Sequence, residues 1–311
     1  MPISRISVPG VIEFPGYVLA PTGAKVFYVH ASGVQSEDTA PIADRIHTTV
    51  NAALAECRSG RGDIVLCLPG HTENVAAADA WSNLGTKTGV KVLGLGEGDN
   101  RPTFTWTVAT STVLFDAASF GIENCILKLE PGTGTVTVAA PITVSAAGCY
   151  IRKCRIYAGT DGSNLCTIPI TTTAGGDQFT FEDNYSTAAV AAASTCYMRV
   201  VGADRLLVRN NTIIHPSTDS ATVGTISFLT TASTLVNISN NYIHNNASPS
   251  RVCISSGSTA CTGFISDNRL RNVTDGSNIH IVSTTATWQL FENYGVNNDI
   301  ETGILLGTPS V

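Results

Sequence analysis

The phrase Phe-Gly-Ile-Glu-Asn-Cys-Ile at 120–126 returns as Tyr-Ile-Arg-Lys-Cys-Arg-Ile at 150–156 and as Phe-Thr-Phe-Glu-Asp-Asn-Tyr at 179–185. In each copy, apolar residues alternate with others, a polar pair ending in Asn or Cys follows, and a further apolar residue lies within the next two positions. Four further copies occupy 206–213, 235–242, 263–270 and 288–294. Because the apolar residues recur at every second position, the copies predict β-strands rather than helices.

The last polar residue of each copy defines a column along the chain. Its members are Cys125, Cys154, Asn184, Asn211, Asn241, Asn268 and Asn293. Their spacing of 25 to 30 residues, combined with strand-like alternation, predicts that each repeat is one coil of a β-solenoid. Equivalent positions in such a stack lie about 4.8 Å apart, so the Asn amides are expected to form a hydrogen-bonded ladder with a structural role. Asn also suits a corner because it tolerates left-handed backbone.

A second set of apolar strands precedes the copies, separated from them by corners of small residues. These strands are predicted at 113–115, 142–144, 168–170, 198–200, 226–228, 252–254 and 279–281. Each coil therefore has at least two strands and two turns. Hydrophobic residues make up 43% of the 311 residues and charged residues only 14%, which is typical of a packed β-rich protein. The predicted fold class is all-β, a single-stranded parallel β-helix of about eight or nine coils, roughly 40 Å long.

The N-terminal part of the chain has a different character, which divides the protein into segments 1–24, 25–61 and 62–311. The first segment is predicted to be an extended arm, and its turn-forming residues are Pro9, Gly10, Pro15, Gly16, Pro21 and Gly23. A strand at 26–29 and an amphipathic helix follow. That helix is predicted to begin near Ser36–Pro41, to place Ile42, Ile46, Val50, Ala53, Leu54 and Cys57 on one face, and to end at Arg58-Ser59-Gly60. Its expected role is to cap the open end of the solenoid.

After this helix the chain reads Gly-Asp-Ile-Val-Leu-Cys-Leu-Pro-Gly-His-Thr-Glu-Asn-Val at 62–75, and here it resembles the right-handed parallel β-helix superfamily of pectate lyases and phage tailspikes. The stretch Val-Leu-Gly-Leu-Gly-Glu-Gly-Asp-Asn-Arg-Pro-Thr-Phe-Thr at 92–105 more narrowly resembles phage virion β-helix proteins associated with head genes. The resemblance covers residues 25–300. It implies a right-handed coil, the cap helix, a virion location and a homotrimer.

Acidic residues beside the repeat column raise the question of catalysis. Glycoside hydrolysis requires two carboxyl groups about 5 to 9.5 Å apart, and the candidates are Glu123, Glu182, Asp183, Asp267 and Glu292. However, the position two residues before the column reads Glu123, Arg152, Glu182 and Arg209 in successive copies. Opposite charges that alternate between stacked neighbours favour a structural charge ladder. No catalytic or cofactor-binding residues are therefore predicted.

Cysteine and histidine give no metal signature. The nine cysteines form no C-x-x-C pair and are expected to be buried, reduced thiols. His215 and His244 are 29 residues apart and are predicted to form a solvent-facing pair one coil apart, which lacks a third ligand.

Charge and hydropathy restrict the partners. The net charge of −6, from 18 basic and 24 acidic residues without a basic cluster, disfavours nucleic-acid binding. No apolar run of 18 residues predicts a membrane helix, and no export signal is predicted, so folding is expected in a reducing bacterial cytoplasm before assembly into a virion.

Three functional hypotheses follow. The first is a non-enzymatic decoration or cement protein on a phage capsid, anchored to the major capsid protein by its arm. The second is a tail spike that binds a host surface glycan and acts as a polysaccharide depolymerase. The third is a free lyase-like enzyme, which the absence of an export signal disfavours. We predict the first.

Overall fold

The protein forms three long β-sheets that wind around one apolar core. The computed structural model describes residues 13–14, 17–18, 23–31, 45–130, 136–189, 194–217, 223–247, 252–256, 260–272, 281–282, 286–296 and 301–305. Within these ranges, strand pairing in the three sheets is parallel except at Glu301–Leu305, which pairs antiparallel with the preceding strand. The chain is thus an all-β, right-handed parallel β-helix, and the predicted fold class is confirmed.

Each sheet collects one strand from successive coils. Counting only described residues, the first sheet has eleven strands, at Val26–Val29, Ile46–His47, Ile64–Cys67, Lys91–Gly94, Gly121–Glu123, Tyr150–Arg152, Thr180–Glu182, Leu207–Arg209, Val236–Ser239, Thr262–Ser266 and Thr287–Phe291. The second has ten, at Thr72–Val75, Thr103–Trp106, Ile126–Lys128, Arg155–Tyr157, Tyr185–Thr187, Thr212–His215, Tyr242–Asn245, Arg269–Asn272, Asn293–Val296 and Glu301–Leu305. The third has seven, at Val113–Phe115, Ile142–Val144, Ile170–Thr172, Met198–Val200, Ile226–Phe228, Ile254–Ser255 and Ile281–Val282. Short strands at Val136–Val138 and Asn164–Cys166 form a separate two-stranded parallel sheet.

The core follows from the alternation noted in the sequence. In the first sheet Ile122, Ile151 and Phe181 are register partners, and each is fully buried. Their neighbours along the strand point outward, because successive side chains of a strand lie on opposite faces. Each repeated phrase supplies two strands rather than one, with the polar pair as the corner between the first and second sheets.

Three third-sheet strands begin later than predicted. The strands predicted to begin at 168, 252 and 279 begin at Ile170, Ile254 and Ile281, although 279–280 lie outside the described residues. The register explains the first shift, since Ile170 pairs with Ile142 and both are fully buried. Thr172 is also fully buried, so a polar residue occupies a core position that an apolar pattern could not reveal.

The left-handed residue at each first corner is not the column residue but the one before it. Positive φ angles between 47° and 58° occur at Asn124, Lys153, Asp183, Asn210, Asn240, Asp267 and Glu292. The sequence correctly placed a corner here and wrongly assigned the left-handed geometry to the column. The column residue instead points into the corner, where its side chain meets the neighbouring coils.

The cap helix is shorter than predicted and spans Val50–Glu56. Thr49 is its N-cap and accepts a hydrogen bond from the Ala52 amide, while Val50, Ala53 and Leu54 are buried. Ile46–His47, which the prediction placed in the helix, is a strand paired with Tyr28–Val29. The N-cap explains the boundary, because its extended backbone cannot continue a helix backwards. The predicted start at 36–41, and Ile42, lie outside the described residues.

The predicted arm also lies largely outside the described residues, including Pro9, Gly10, Pro15, Gly16 and Pro21. Glu13–Phe14 and Tyr17–Val18 pair as two short antiparallel strands, and Gly23 has a φ of +98°. A role of the arm in anchoring to a capsid stays a prediction.

Candidate functional site

The predicted Asn column forms a continuous hydrogen-bonded ladder. The Oδ1 atom of Asn211 accepts from the backbone N–H of Asn184 at 2.9 Å and from its Nδ2 at 3.1 Å. In the same way, Asn241 Oδ1 accepts from the backbone N–H of Asn211 at 3.0 Å and from its Nδ2 at 2.9 Å. The pattern continues through Asn268 to Asn293. All five side chains are buried, so the column is part of the scaffold and does not face a ligand.

Two cysteines continue this column at its N-terminal end. The Cys154 amide donates to Asn184 Oδ1 at 2.9 Å, and its thiol donates to the Arg152 carbonyl at 3.2 Å. The Cys125 thiol donates to the Glu123 carbonyl at 3.4 Å. Burial raises the pKa of the Cys154 thiol to about 12, which keeps it protonated and poorly nucleophilic at neutral pH. All nine cysteines are buried thiols, as predicted.

The predicted charge ladder is present, with one difference in pairing. Glu123, Arg152, Glu182 and Arg209 are register partners on the outer face of the first sheet. Glu182 forms ion pairs with both neighbours, at 3.2 Å from Arg152 Nε and in closer contact with Arg209 Nε. Glu123 instead pairs with the Nζ atom of Lys153, at 2.8 Å.

These contacts bear on the five carboxylates considered as catalytic candidates. Glu123 and Glu182 are held by the cations just named, while Asp183, Asp267 and Glu292 occupy the left-handed corner position. A glycosidase needs one carboxylic acid to donate a proton and a second group to act as base or nucleophile. The ion pairs of Glu123 and Glu182 join residues of neighbouring coils, as a structural charge ladder requires.

The two histidines do not form the predicted solvent-facing pair. His215 is fully buried, its Nε2 lies 3.0 Å from Ser194 Oγ and its Nδ1 lies 3.1 Å from Ser217 Oγ. Its register partner is Asn245, whereas His244 pairs with Ile214, so the two rings lie on opposite faces of the second sheet. Burial lowers the pKa of His215 to about 3, which makes it a neutral core residue. The spacing of 29 residues was one position away from the true register.

Across the described part of the chain, no group of three or more His, Cys, Asp and Glu residues is arranged to hold a metal ion. No helix in these ranges is long and apolar enough to cross a bilayer.

The described surface contains an open groove of about 450 Å³ beside the N-terminal end of the ladder. Its lining residues are Arg101, Asn124, Lys153, Cys154, Arg155, Asp183 and Tyr185. They come from four successive coils and surround the corner between the first and second sheets. We call this surface the corner groove.

The fold places each of these residues for a local reason. Lys153 and Asp183 occupy the left-handed corner position of neighbouring coils. Arg155 and Tyr185 begin adjacent second-sheet strands and are register partners. Arg101 follows the short 3₁₀ helix at Gly98–Asn100 and donates from Nη1 to the Lys153 carbonyl at 3.1 Å, across 52 residues of sequence.

Electrostatics distinguish the three cations of the corner groove. Lys153 pairs with Glu123, and Arg155 Nη1 lies 3.1 Å from Asp99 Oδ1, whose side chain is 89% exposed. No carboxylate of the described residues forms an ion pair with Arg101, and its buried Nε has no hydrogen-bond partner among them. The groove therefore holds one cation, Arg101, that has no counter-ion within the described ranges, and a second, Arg155, whose partner is exposed to solvent.

The sequence did not predict this groove, because the aligned column of Asn and Cys residues gives no information about which corner residues of different coils lie close together. The signal available was Lys153, a lysine at a corner position that Asn or Asp occupies in five of the seven copies. In comparisons with known proteins, no family model, no curated protein and no solved structure matches the chain.

Proposed function

We propose that this chain is a non-enzymatic structural protein of a phage virion, which decorates the capsid as an oligomeric β-helical knob. In this proposal the coils are a rigid spacer, and the N-terminal arm is the attachment to the major capsid protein. Folding takes place in the host cytoplasm, and the virion surface is the final location.

The observation that carries the non-enzymatic part is the state of Glu182. It is the most enclosed acidic member of the charge ladder, with a side chain 11% exposed, and arginines of both neighbouring coils contact it. Removing one partner from such a pair leaves a poorly solvated charge, so the arrangement serves cohesion between coils. The same holds for the Asn ladder, whose amide donors and acceptors are used within the stack.

The virion part is supported by sequence. The stretch at 62–75 resembles the parallel β-helix superfamily of pectate lyases and phage tailspikes, and the stretch at 92–105 more narrowly resembles phage virion β-helix proteins. The resemblance implies a homotrimer. Cyclic symmetry brings identical surfaces of such rods together around one axis. A homotrimer is accordingly the oligomer that we propose.

Imaging of intact particles tests the location. We expect density for the protein on the capsid shell, and particles assembled with a chain lacking residues 1–24 should lose it. As a control, the shortened chain should show the same β-rich circular dichroism and the same oligomeric mass as the full chain. Density at the tail tip, or unchanged capsid occupancy after the deletion, would contradict the decoration proposal.

The corner groove favours a second candidate, a tail spike that contacts a host surface glycan. Three cations and the exposed Tyr185 line one groove, an arrangement suited to contact with a ligand. Depolymerase activity belongs to this candidate, and it predicts release of oligosaccharides from host capsule that Glu182→Gln abolishes.

A further inference from the structure

We infer that the corner groove is a binding site for a carboxylate-bearing saccharide unit, such as a uronic acid residue of an acidic glycan. The inference is independent of whether the protein lies on the head or the tail of a virion. It rests on three features of the groove: an arginine that no carboxylate among the described residues neutralises, a lysine in an unfavourable backbone conformation, and an aromatic side chain on the rim.

Arg101 supplies the anion-binding group. One end of its guanidinium is fixed, since Nη1 donates to the Lys153 carbonyl at 3.1 Å, so the remaining donors have a defined orientation. A guanidinium binds a carboxylate through two parallel hydrogen bonds, and the absence of a described ion-pair partner leaves Arg101 available for this geometry.

Lys153 is the second feature that favours binding of a charged ligand at this corner. Its φ of +52° lies in the left-handed region, which disfavours residues with long side chains and favours Asn, Asp or Gly. Asn occupies the same position of other coils at Asn124, Asn210 and Asn240, whereas Lys153 places a cation there that pairs with Glu123 at 2.8 Å. Backbone conformations of this kind concentrate at functional sites, and here the lysine adds a second cation next to Arg101.

The rim accounts for the preference for a sugar over a simple anion. Tyr185 is 45% exposed and is the register neighbour of Arg155 on the second sheet, so its ring lies beside the cations. Binding sites for small molecules combine such an apolar surface with a few polar groups that fix orientation, and 450 Å³ is within their usual range. Phosphate or sulfate would use the cations but not the ring.

Two carboxylates oppose an anionic ligand. Asp183 lines the groove, and Asp99 occupies Arg155 from the solvent side. Replacing Asp183 with Asn removes the charge while keeping a residue that suits the left-handed corner. Asp267 has the same corner position and a φ of +57°, but it does not line the groove. It is therefore a matched control for the substitution itself.

Isothermal titration calorimetry with glucuronic acid and with glucose tests the inference, because these probes differ only at the carboxylate. The native protein should bind glucuronic acid and not glucose, and Asp183→Asn should tighten the binding about two- to fivefold, as for loss of one exposed like charge. Asp267→Asn should leave it unchanged. Arg101→Gln should weaken binding at least about tenfold and Tyr185→Ser about threefold, as expected for lost charge-assisted and ring contacts.

Several results would overturn the inference. Absence of glucuronic acid binding to the native protein is one, and equal binding of glucose is another. If sulfate binds with the same affinity as glucuronic acid and Tyr185→Ser does not change the affinity, the groove does not recognise a saccharide. If Arg101→Gln lowers the melting temperature, its weaker binding is not informative. The test then depends on Asp183→Asn, for which we predict tighter binding of glucuronic acid, a result that a damaged fold cannot produce.

Discussion

Removal of one amide from the middle of the Asn ladder should destabilise the protein strongly. Asn211→Ala deletes the acceptor of the Asn184 backbone N–H, which is buried, and the acceptor of its Nδ2. It also deletes donors to the carbonyls of Phe181 and Arg209, each at 2.8 Å, and to Asn241 Oδ1 at 2.9 Å. The substitution therefore breaks the ladder on both sides.

The magnitude follows from these bonds. One buried donor left without a partner costs about 1–3 kcal/mol, and each further net hydrogen bond contributes about 1 kcal/mol. Because the carbonyls keep other potential donors in the sheet, we expect a total loss of about 3–4 kcal/mol. Asn211→Cys imitates Cys154, whose thiol still donates to the carbonyl two residues earlier, so its loss should be about 1 kcal/mol smaller.

The assay is urea unfolding followed by far-ultraviolet circular dichroism at pH 7, with the midpoint converted to free energy at constant slope. Asn210→Gly is the matched control. It changes the adjacent residue, which is exposed and has a φ of +57°, a conformation that glycine accepts. The control should shift stability by less than about 0.5 kcal/mol. A loss below about 1 kcal/mol for Asn211→Ala, or one equal to the control, would refute the assignment of the ladder as the main corner support.

Three other substitutions test separate parts of the scaffold. Glu182→Gln should cost about 1 kcal/mol at low salt, because its arginine partners are partly exposed, and less in 1 M NaCl; a cost that salt does not change would argue against an ionic contribution. Gly121→Ala should cost about 1–3 kcal/mol in the same urea assay, since the added Cβ would lie 2.0 Å from the Tyr150 ring, and Tyr150→Ala should relieve most of that cost. Asp63 is fully buried; burial would raise its pKa, but hydrogen bonds from Arg61 and from the Arg58 and Lys25 amides outweigh this and lower the pKa below 3.8. Its stabilising contribution is thus present above about pH 4 and is lost as the pH falls through the lowered pKa. The free energy of unfolding should therefore drop more between pH 5 and pH 3 in the native protein than in Asp63→Asn. Parallel pH profiles of the two proteins would contradict this.

Much of the fold was predictable because every coil of a solenoid repeats the same pattern of residues. The same column position recurs in seven copies, so the ladder from Cys125 to Asn293 emerged from spacing alone. Alternating charges at Glu123, Arg152, Glu182 and Arg209 likewise required only alignment of the copies. Local pattern and tertiary contact coincide here because stacked coils place equivalent residues next to each other.

Other features depended on contacts that the pattern does not encode. The cap helix begins at Val50 rather than near Ser36, because Ile46–His47 joins the first sheet instead. Its first amide is held by Glu73 Oε2 at 2.8 Å, a partner 23 residues away. A helical apolar face cannot distinguish this arrangement from a longer helix, since Val50, Ala53 and Leu54 are buried in both.

The sequence by itself determined the coil, its period, the Asn ladder and the charge column, since each is a repeated local signal that stacking converts into contact. Only the tertiary structure decided which corner residue is left-handed, that His215 is buried rather than exposed, and that Arg101 meets Lys153. The physical reason is that faces and corners are fixed by register, and a shift of one residue reverses which side of a strand a side chain occupies. The corner groove is built from four coils at positions that share no column, so it exists only once the coils are stacked.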